Sequence, residues 1–321
     1  MREEYTYAVA RIRYRESRLL TDADLNMLLG SHDAGAAMRL LKEKGWGDSS
    51  DSDADGLLKL EEEKTWDFID EIVDDRSVFD FLIVPNDFHN LKVALKAITR
   101  DLKPEDMFIR NCTVDPDKMY SALKLREYDE LPEHLREAAK EAMTVLLETS
   151  DGQLCDIIID KACMEYVYSL GRVSDDEIIK LYCELFVASS DIKIAIRSAK
   201  TGKSHDFALR AMAECDTLDI KRLANAASMG YSDVIAYLSE TDYRRAVEAL
   251  QRSMSAFEKW CDDSLTSAIK TQKWEPFGIG PVVAYIIARL NEIKAARMIL
   301  SAKLNGLPED IIRERLRMMY V

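Results

Sequence analysis

Glycine and proline are scarce, 12 and 7 in 321 residues. With so few helix breakers and no sustained apolar/polar alternation, a turn-rich sheet protein is excluded. No apolar stretch approaches the ~18–20 residues of a membrane span, the longest strongly apolar run being Val282 to Ala288. The six cysteines, Cys112, Cys155, Cys163, Cys183, Cys215 and Cys261, show no CxxC spacing. That argues against a zinc ribbon or a redox motif and predicts six reduced, mostly buried thiols. The four histidines, His32, His89, His134 and His205, lie far apart, and none has the i, i+4 partner of a zinc helix. The net charge is −14, so a general phosphate-binding footprint is excluded and no nucleic-acid partner is expected.

What is present is charge, alanine and leucine. The composition is 47% apolar and 32% charged, which together with the missing alternation predicts an almost wholly α-helical protein with a well-hydrated surface. The N-terminal Met-Arg-Glu-Glu-Tyr is no secretory signal, and a cytoplasmic setting is expected.

One helical motif occurs three times: Asn90-Leu91-Lys92-Val93-Ala94, Asp191-Ile192-Lys193-Ile194-Ala195, and the stretch around Glu292-Ile293-Lys294-Ala295-Ala296. The lysines at 92, 193 and 294 are each 101 residues apart, a domain-sized period that predicts three helical modules, 1–115, 116–215 and 216–321. Leu91, Ala94, Leu95 and Ile98 recur at i, i+3, i+4 and i+7, as do Ile192, Ala195, Ile196 and Ala199. Each set marks one apolar face with a small residue that lets a neighbouring helix come close. In the third copy Ile293, Ala296 and Leu300 keep the stripe, with Arg297 where an aliphatic stood.

Along the chain, Tyr5 to Leu20 reads as a first helix whose arginines face solvent, and Thr21-Asp22-Ala23-Asp24 as the cap of a second. The acidic stretch 46–55 is predicted to be a turn; its alternating Asp residues lack the Gly and Glu of a calcium loop. A helix follows over about Leu57 to Val73. Asp87, just past Pro85, is an N-cap candidate for the first motif helix. The weakly periodic stretch 101–129 holds the first module boundary, and a helix starts at Leu131-Pro132-Glu133. Ser174 and Glu177 have capping-box spacing. Gly202-Lys203-Ser204 imitates a P-loop, but Arg197 stands where its first Gly belongs and a helix precedes it; Gly202 reads as a helix C-terminal residue with positive φ. The Gly278-Ile279-Gly280 loop has no strand before it and is no dinucleotide fingerprint. Carboxylate pairs such as Asp175-Asp176 and Asp262-Asp263 are ordinary in a chain with 58 acids. No catalytic, cofactor-binding or metal-ligating set emerges.

Several stretches together resemble a known family. They are Phe257-Glu258 with Asp262-Asp263, Phe277-Gly278-Ile279-Gly280-Pro281, Ala284-Tyr285, Asn291-Glu292-Ile293-Lys294, Leu307-Pro308-Glu309 and Ile312-Arg313-Glu314-Arg315-Leu316 with Tyr320. With Asp87-Phe88-His89-Asn90-Leu91-Lys92 and Asp191-Ile192-Lys193, the chain resembles the C subunit of archaeal and bacterial A-type/V-type ATPases, the counterpart of the eukaryotic d subunit, over essentially its whole length. It departs from the family at Arg289, where an acid is usual, and at Asp191, where Asn is usual.

The resemblance implies an all-α funnel of three similar domains about a pseudo-threefold axis. It would be a non-catalytic rotor component, peripheral on the cytoplasmic face of the membrane, without cofactor or metal. It would accept the D and F subunits of the central stalk in its mouth, sit on the membrane proteolipid ring without itself entering the bilayer, and couple ATP chemistry to H+ or Na+ transport. On this reading Lys92, Lys193 and Lys294, with Arg197 and Arg297, are expected to contribute to stalk docking. The competing classes are a nucleotide-using enzyme, on the strength of Gly202-Lys203-Ser204, and a generic helical-repeat adaptor.

Overall fold

The computed structural model describes residues 5–48 and 53–321. Among these there are α-helices and 3-10 turns and no strand, so the chain is all-α. The helices are α1 (Thr6–Glu16), α2 (Asp22–Leu29), α3 (Ala34–Glu43), α4 (Ala54–Ile72), α5 (Asp80–Arg100), α6 (Pro116–Leu125), α7 (Glu133–Thr149) and α8 (Gly152–Val173). They continue as α9 (Glu177–Thr201), α10 (His205–Ala211), α11 (Ile220–Met229), α12 (Tyr231–Ser239), α13 (Val247–Arg252), α14 (Met254–Ile269), α15 (Gly280–Leu304) and α16 (Glu309–Arg315). The three repeated motifs lie on α5, α9 and α15, which at 21, 25 and 25 residues are among the longest helices of the chain.

By its own contacts the chain divides into two compact units. The first comprises Met1–Arg76, Asp176–Ile178 and Glu248–Val321; the second Ser77–Asp175 and Ile179–Val247.

In the first unit α15 is the hub. Val282 through Ala288 are all at most 4% exposed, so the longest apolar run is core on every side rather than a surface stripe. Farther along, Ile293, Ala296, Ile299 and Leu300 pack with Leu25, Leu28 and Leu29 of α2, Ala37 and Leu41 of α3, and Leu57 and Leu58 of α4. Each such Leu or Ile fully removed from water contributes ~1.5–3 kcal/mol. Arg297, the aliphatic's replacement, is exposed, with Asp55 3.4 Å away, and leaves that core intact. The second helix begins as its cap predicts: Thr21 Oγ1 accepts from Asp24 N–H (3.2 Å) while Asp24 accepts from Thr21 N–H (2.9 Å).

Buried within this unit is a charged network. Arg289 donates to Glu292 Oε2 (2.6 Å) and to Glu61 Oε2, and its guanidinium lies 4.7 Å from the centre of the Trp46 ring. Glu61 Oε1 also accepts from Gly47 N–H and Lys64 Nζ, both at 2.8 Å. A buried arginine is accommodated at this position because two acids face it, and its fork satisfies both.

The second unit is built on α5, α7, α8 and α9. Gly171 of α8 lies against Cys183 of α9 so tightly that a Cβ at 171 would sit 2.5 Å from the Cys183 Cβ. Only glycine allows that approach. All six cysteines are free thiols, and burial pushes Cys163 and Cys183 up to about 12.

Two expectations are corrected. The first helix ends at Glu16, short of Leu20. Asp87 is no N-cap: α5 starts at Asp80 and runs through Pro85, because Phe81, Ile83, Val84, Phe88 and Leu91 are all buried and outweigh the one lost backbone bond. Within the weakly periodic stretch 101–129, Asp115 caps α6 with Pro116 in its first turn. The predicted acidic turn lies partly at Ser49–Ser52, outside the described residues, as do residues 1–4 of the N-terminal pentapeptide; on its far side Asp53 caps α4.

Arg289→Ala leaves Glu61 and Glu292 buried without their shared cation, a change of the kind that costs ~3–5 kcal/mol. The urea midpoint of the variant should fall correspondingly; a loss below ~1 kcal/mol would show that the network is not the keystone of this unit.

Candidate functional site

At the same place in the repeat, each motif helix carries a buried polar side chain that binds backbone from outside the helix. On α5, Asn90 is 0% exposed; its Nδ2 donates to Ile109 O and its Oδ1 accepts from Ile109 N–H, both at 2.8 Å. On α9, Asp191 is 0% exposed and its Oδ1 accepts from Ala213 N–H at 3.1 Å. On α15, Glu292 is 1% exposed and accepts from Leu20 N–H and from Arg289. In all three the side chain two positions before the motif Lys fastens backbone of a non-helical segment to the long helix. Sequence spacing marked these positions as polar but not as buried. The cue available was a polar residue immediately preceding an aliphatic on the apolar face.

Neighbouring acids repeat the device. Asp87 accepts from Thr113 N–H (2.9 Å), Thr113 Oγ1 (2.6 Å) and Val114 N–H (3.1 Å). Glu184 accepts from Asp216 N–H (3.1 Å), Thr217 N–H (2.9 Å) and Thr217 Oγ1 (2.5 Å).

The motif cations sit beside this buried row. Lys92 Nζ pairs with Asp160 of α8 at 2.5 Å, and Lys294 Nζ with Asp262 of α14 at 2.6 Å. Lys193 is half-buried on α9, with exposed Arg197 one turn on. The five candidate residues thus occupy three helices: Lys92 on α5, Lys193 and Arg197 on α9, Lys294 and Arg297 on α15. Those with carboxylate partners find them locally.

Around Lys92 the second unit opens a groove of about 320 Å³, lined by His89, Lys92, Val93, Lys96, Ala97 and Arg100 of α5, with Leu102, Met107 and Asp156. His89, Lys92, Lys96 and Arg100 follow one face of the helix. Lys96 pairs with Asp156 at 2.5 Å. Burial lowers the His89 pKa from its ordinary value, and the Lys92 and Lys96 cations lower it further against Asp160. The imidazole is therefore neutral at pH 7. Lys96 and Arg100 belong to this face and were not singled out by the repeat, because the lysine register stops at 92.

Gly202 has φ +63° and ends α9, Lys203 N–H closes onto Ser198 O (3.0 Å), and Ser204 caps α10 by accepting from Phe207 N–H (3.2 Å). Lys203 Nζ lies over the Phe207 ring. The Gly-Lys-Ser run is thus a joint between two helices. Among the described residues no group of three His, Cys, Asp or Glu side chains could hold a metal ion, and no helix is long and apolar enough to cross a membrane.

A family model, the ATP synthase (C/AC39) subunit, matches residues 8–315. The chain belongs to that family. The V-type ATP synthase C subunit of Thermus thermophilus is 23% identical over 325 residues, covering 98% of each chain. The V-type sodium ATPase C subunit of Enterococcus hirae is 22% identical over 278 residues, 85% of this chain and 84% of its own. The A-type ATP synthase C subunit of Methanocaldococcus jannaschii is 22% identical over 346 residues, 97% and 86%. The chain is accordingly a non-catalytic component of a rotary V/A-type ATPase. With that the nucleotide-enzyme reading of Gly202-Lys203-Ser204 falls away. Equilibrium dialysis of the isolated chain with ATP should show no saturable binding, and Lys203→Ala should change nothing; micromolar binding lost in the variant would contradict this.

Asp191 yields a pH signature. Burial pushes its carboxyl up to about 8, well above the ordinary carboxylate range, against the Ala213 N–H and the Lys161 cation, with Glu184 adding to the rise. Between the ordinary value and about 8 the folded chain holds a proton that the unfolded chain has lost, so stability falls as pH rises through that window. Asp191→Asn, which keeps the shape without the titrating proton, should raise the thermal midpoint on the alkaline side of that window, with the gap closing as the pH is lowered toward the ordinary carboxylate range. A pH-independent difference would show that Asp191 does not titrate in this range.

Proposed function

We propose that the chain is the rotor socket of its ATPase, joining the D and F subunits of the central stalk to the membrane proteolipid ring on the cytoplasmic face, for ATP-linked transport of H+ or Na+. The observation that carries this reading is the threefold recurrence of a buried polar staple at 90, 191 and 292 with a lysine two residues on, in a chain matched over residues 8–315 by one family. Three equivalent helices, one each in modules 1–115, 116–215 and 216–321, suit a pseudo-threefold funnel whose wall grips a shaft. Staples from helix to connecting segment suit a part that transmits torque.

On this reading Lys92, Lys193 and Lys294, with Arg197 and Arg297, dock the stalk. Charge around the wall adds register to an otherwise apolar fit. Single exposed ion pairs are worth only ~0–1 kcal/mol, so one Lys→Ala change should weaken stalk binding little. Replacing Lys92, Lys193 and Lys294 together by Glu should weaken binding of the D–F stalk by at least about tenfold more than the same change at the exposed Lys59, Lys124 and Lys221. Because glutamates at positions 92 and 294 would face Asp160 and Asp262, the triple Lys→Gln variant with an unchanged melting point serves as the folded companion. Wild-type affinity in both triple variants would remove the lysines from the interface. Failure of the purified wild-type chain to bind the D–F stalk would overturn the function itself and favour a generic helical-repeat adaptor.

A further inference from the structure

In the second unit α5 and α8 run antiparallel, and two ion pairs fix their register. Lys92 Nζ meets Asp160 and Lys96 Nζ meets Asp156, each at 2.5 Å. The step between the pairs is four residues up one helix and four down the other, about one turn or 6 Å. The next step brings Arg100, the last residue of α5, level with Gly152, the first of α8. The third rung of this ladder therefore has its cation but no acid. Among the described residues no carboxylate pairs with the Arg100 guanidinium. Asp151, next to Gly152, is engaged on its own helix, where it accepts from Gln153 N–H (2.9 Å) and Leu154 N–H (3.0 Å).

There is also room at the incomplete rung. A Cβ built at Gly152 would meet nothing within 4 Å, in contrast to Gly171 of the same helix. The groove of about 320 Å³ beside Lys92 reaches this end, since Arg100 is part of its wall. Its apolar lining is Val93 and Ala97 of α5 with Leu102 and Met107 of the segment that follows, the last two 50% and 56% exposed. Asp101 and Asp106 of that segment do not line it. An apolar wall that ends on an unmatched cation is complementary to an alkyl chain that ends on an anion. Size favours a small molecule over a protein. Nine residues line the groove, whereas a stable protein interface takes about 20–30 a side, and the volume falls in the range of small-ligand sites, roughly 300–1,000 Å³.

We propose that this groove binds a medium-chain fatty carboxylate, with the alkyl chain along Val93, Ala97, Leu102 and Met107 and the carboxylate completing the third rung on Arg100. The site lies within the second unit. It goes beyond the rotor-socket reading and does not rest on it.

Calorimetric titration of the full-length chain with sodium decanoate, kept below its micellar concentration, should show saturable one-to-one binding. Decanol, with the chain but no charge, and acetate, with the charge but no chain, should each bind at least about tenfold more weakly. Arg100→Gln should weaken decanoate binding by a similar factor at an unchanged melting point. The deciding variant is Gly152→Asp, which supplies the missing acid from the protein itself. It should also weaken decanoate binding at least about tenfold, while the uncharged Gly152→Asn keeps wild-type affinity. No saturable decanoate binding, equal affinity for decanol, undiminished affinity in Arg100→Gln, or the same affinity in Gly152→Asp as in Gly152→Asn overturns the inference. So does a chain that ignores decanoate but whose binding to the D–F stalk is weakened by Gly152→Asp, which would assign the groove to a protein partner.

Discussion

A helix that carries one buried polar side chain must find that side chain a partner, and in each motif helix of this protein the partner includes backbone from outside the helix. Asn90 holds Ile109, Asp191 holds Ala213 and Glu292 holds Leu20. Leaving such a group unpaired in the core costs ~1–3 kcal/mol, so the connecting segments are not free to choose their path. The apolar stripes supply most of the adhesion, while the staples set where each connection attaches.

The three solutions differ chemically. The amide at 90 both donates and accepts, so one residue satisfies both backbone groups of Ile109. The acid at 191 accepts from one N–H, and burial keeps its proton on at neutral pH. The longer acid at 292 reaches Leu20 and recruits Arg289, which in turn recruits Glu61 and the Trp46 face. One position in a repeat has thus been filled by a neutral amide, a neutral acid and a member of an ionic cluster, each consistent with its own surroundings.

Much of this was legible beforehand. Period and composition give long helices at α5, α9 and α15 and an all-α chain, because a 3.6-residue apolar stripe is a local property. Caps at Thr21 and the helix end at Gly202 are local too, and both are found as the residues dictate. Pro85 misled, since the rule that proline opens a helix gives way when five neighbouring apolar residues are buried by tertiary contacts. The role of Arg289 was not readable at all: Glu61 is 228 residues away in sequence.

The contact between Gly171 and Cys183 makes the second unit its own timekeeper. With no room for a Cβ between α8 and α9 at that level, a thiol reagent cannot reach Cys183, 1% exposed, while the helices are together. Modification of Cys183 therefore waits on their separation, and its rate relative to half-exposed Cys112 and Cys215 records how often this part of a rotating machine comes apart under load.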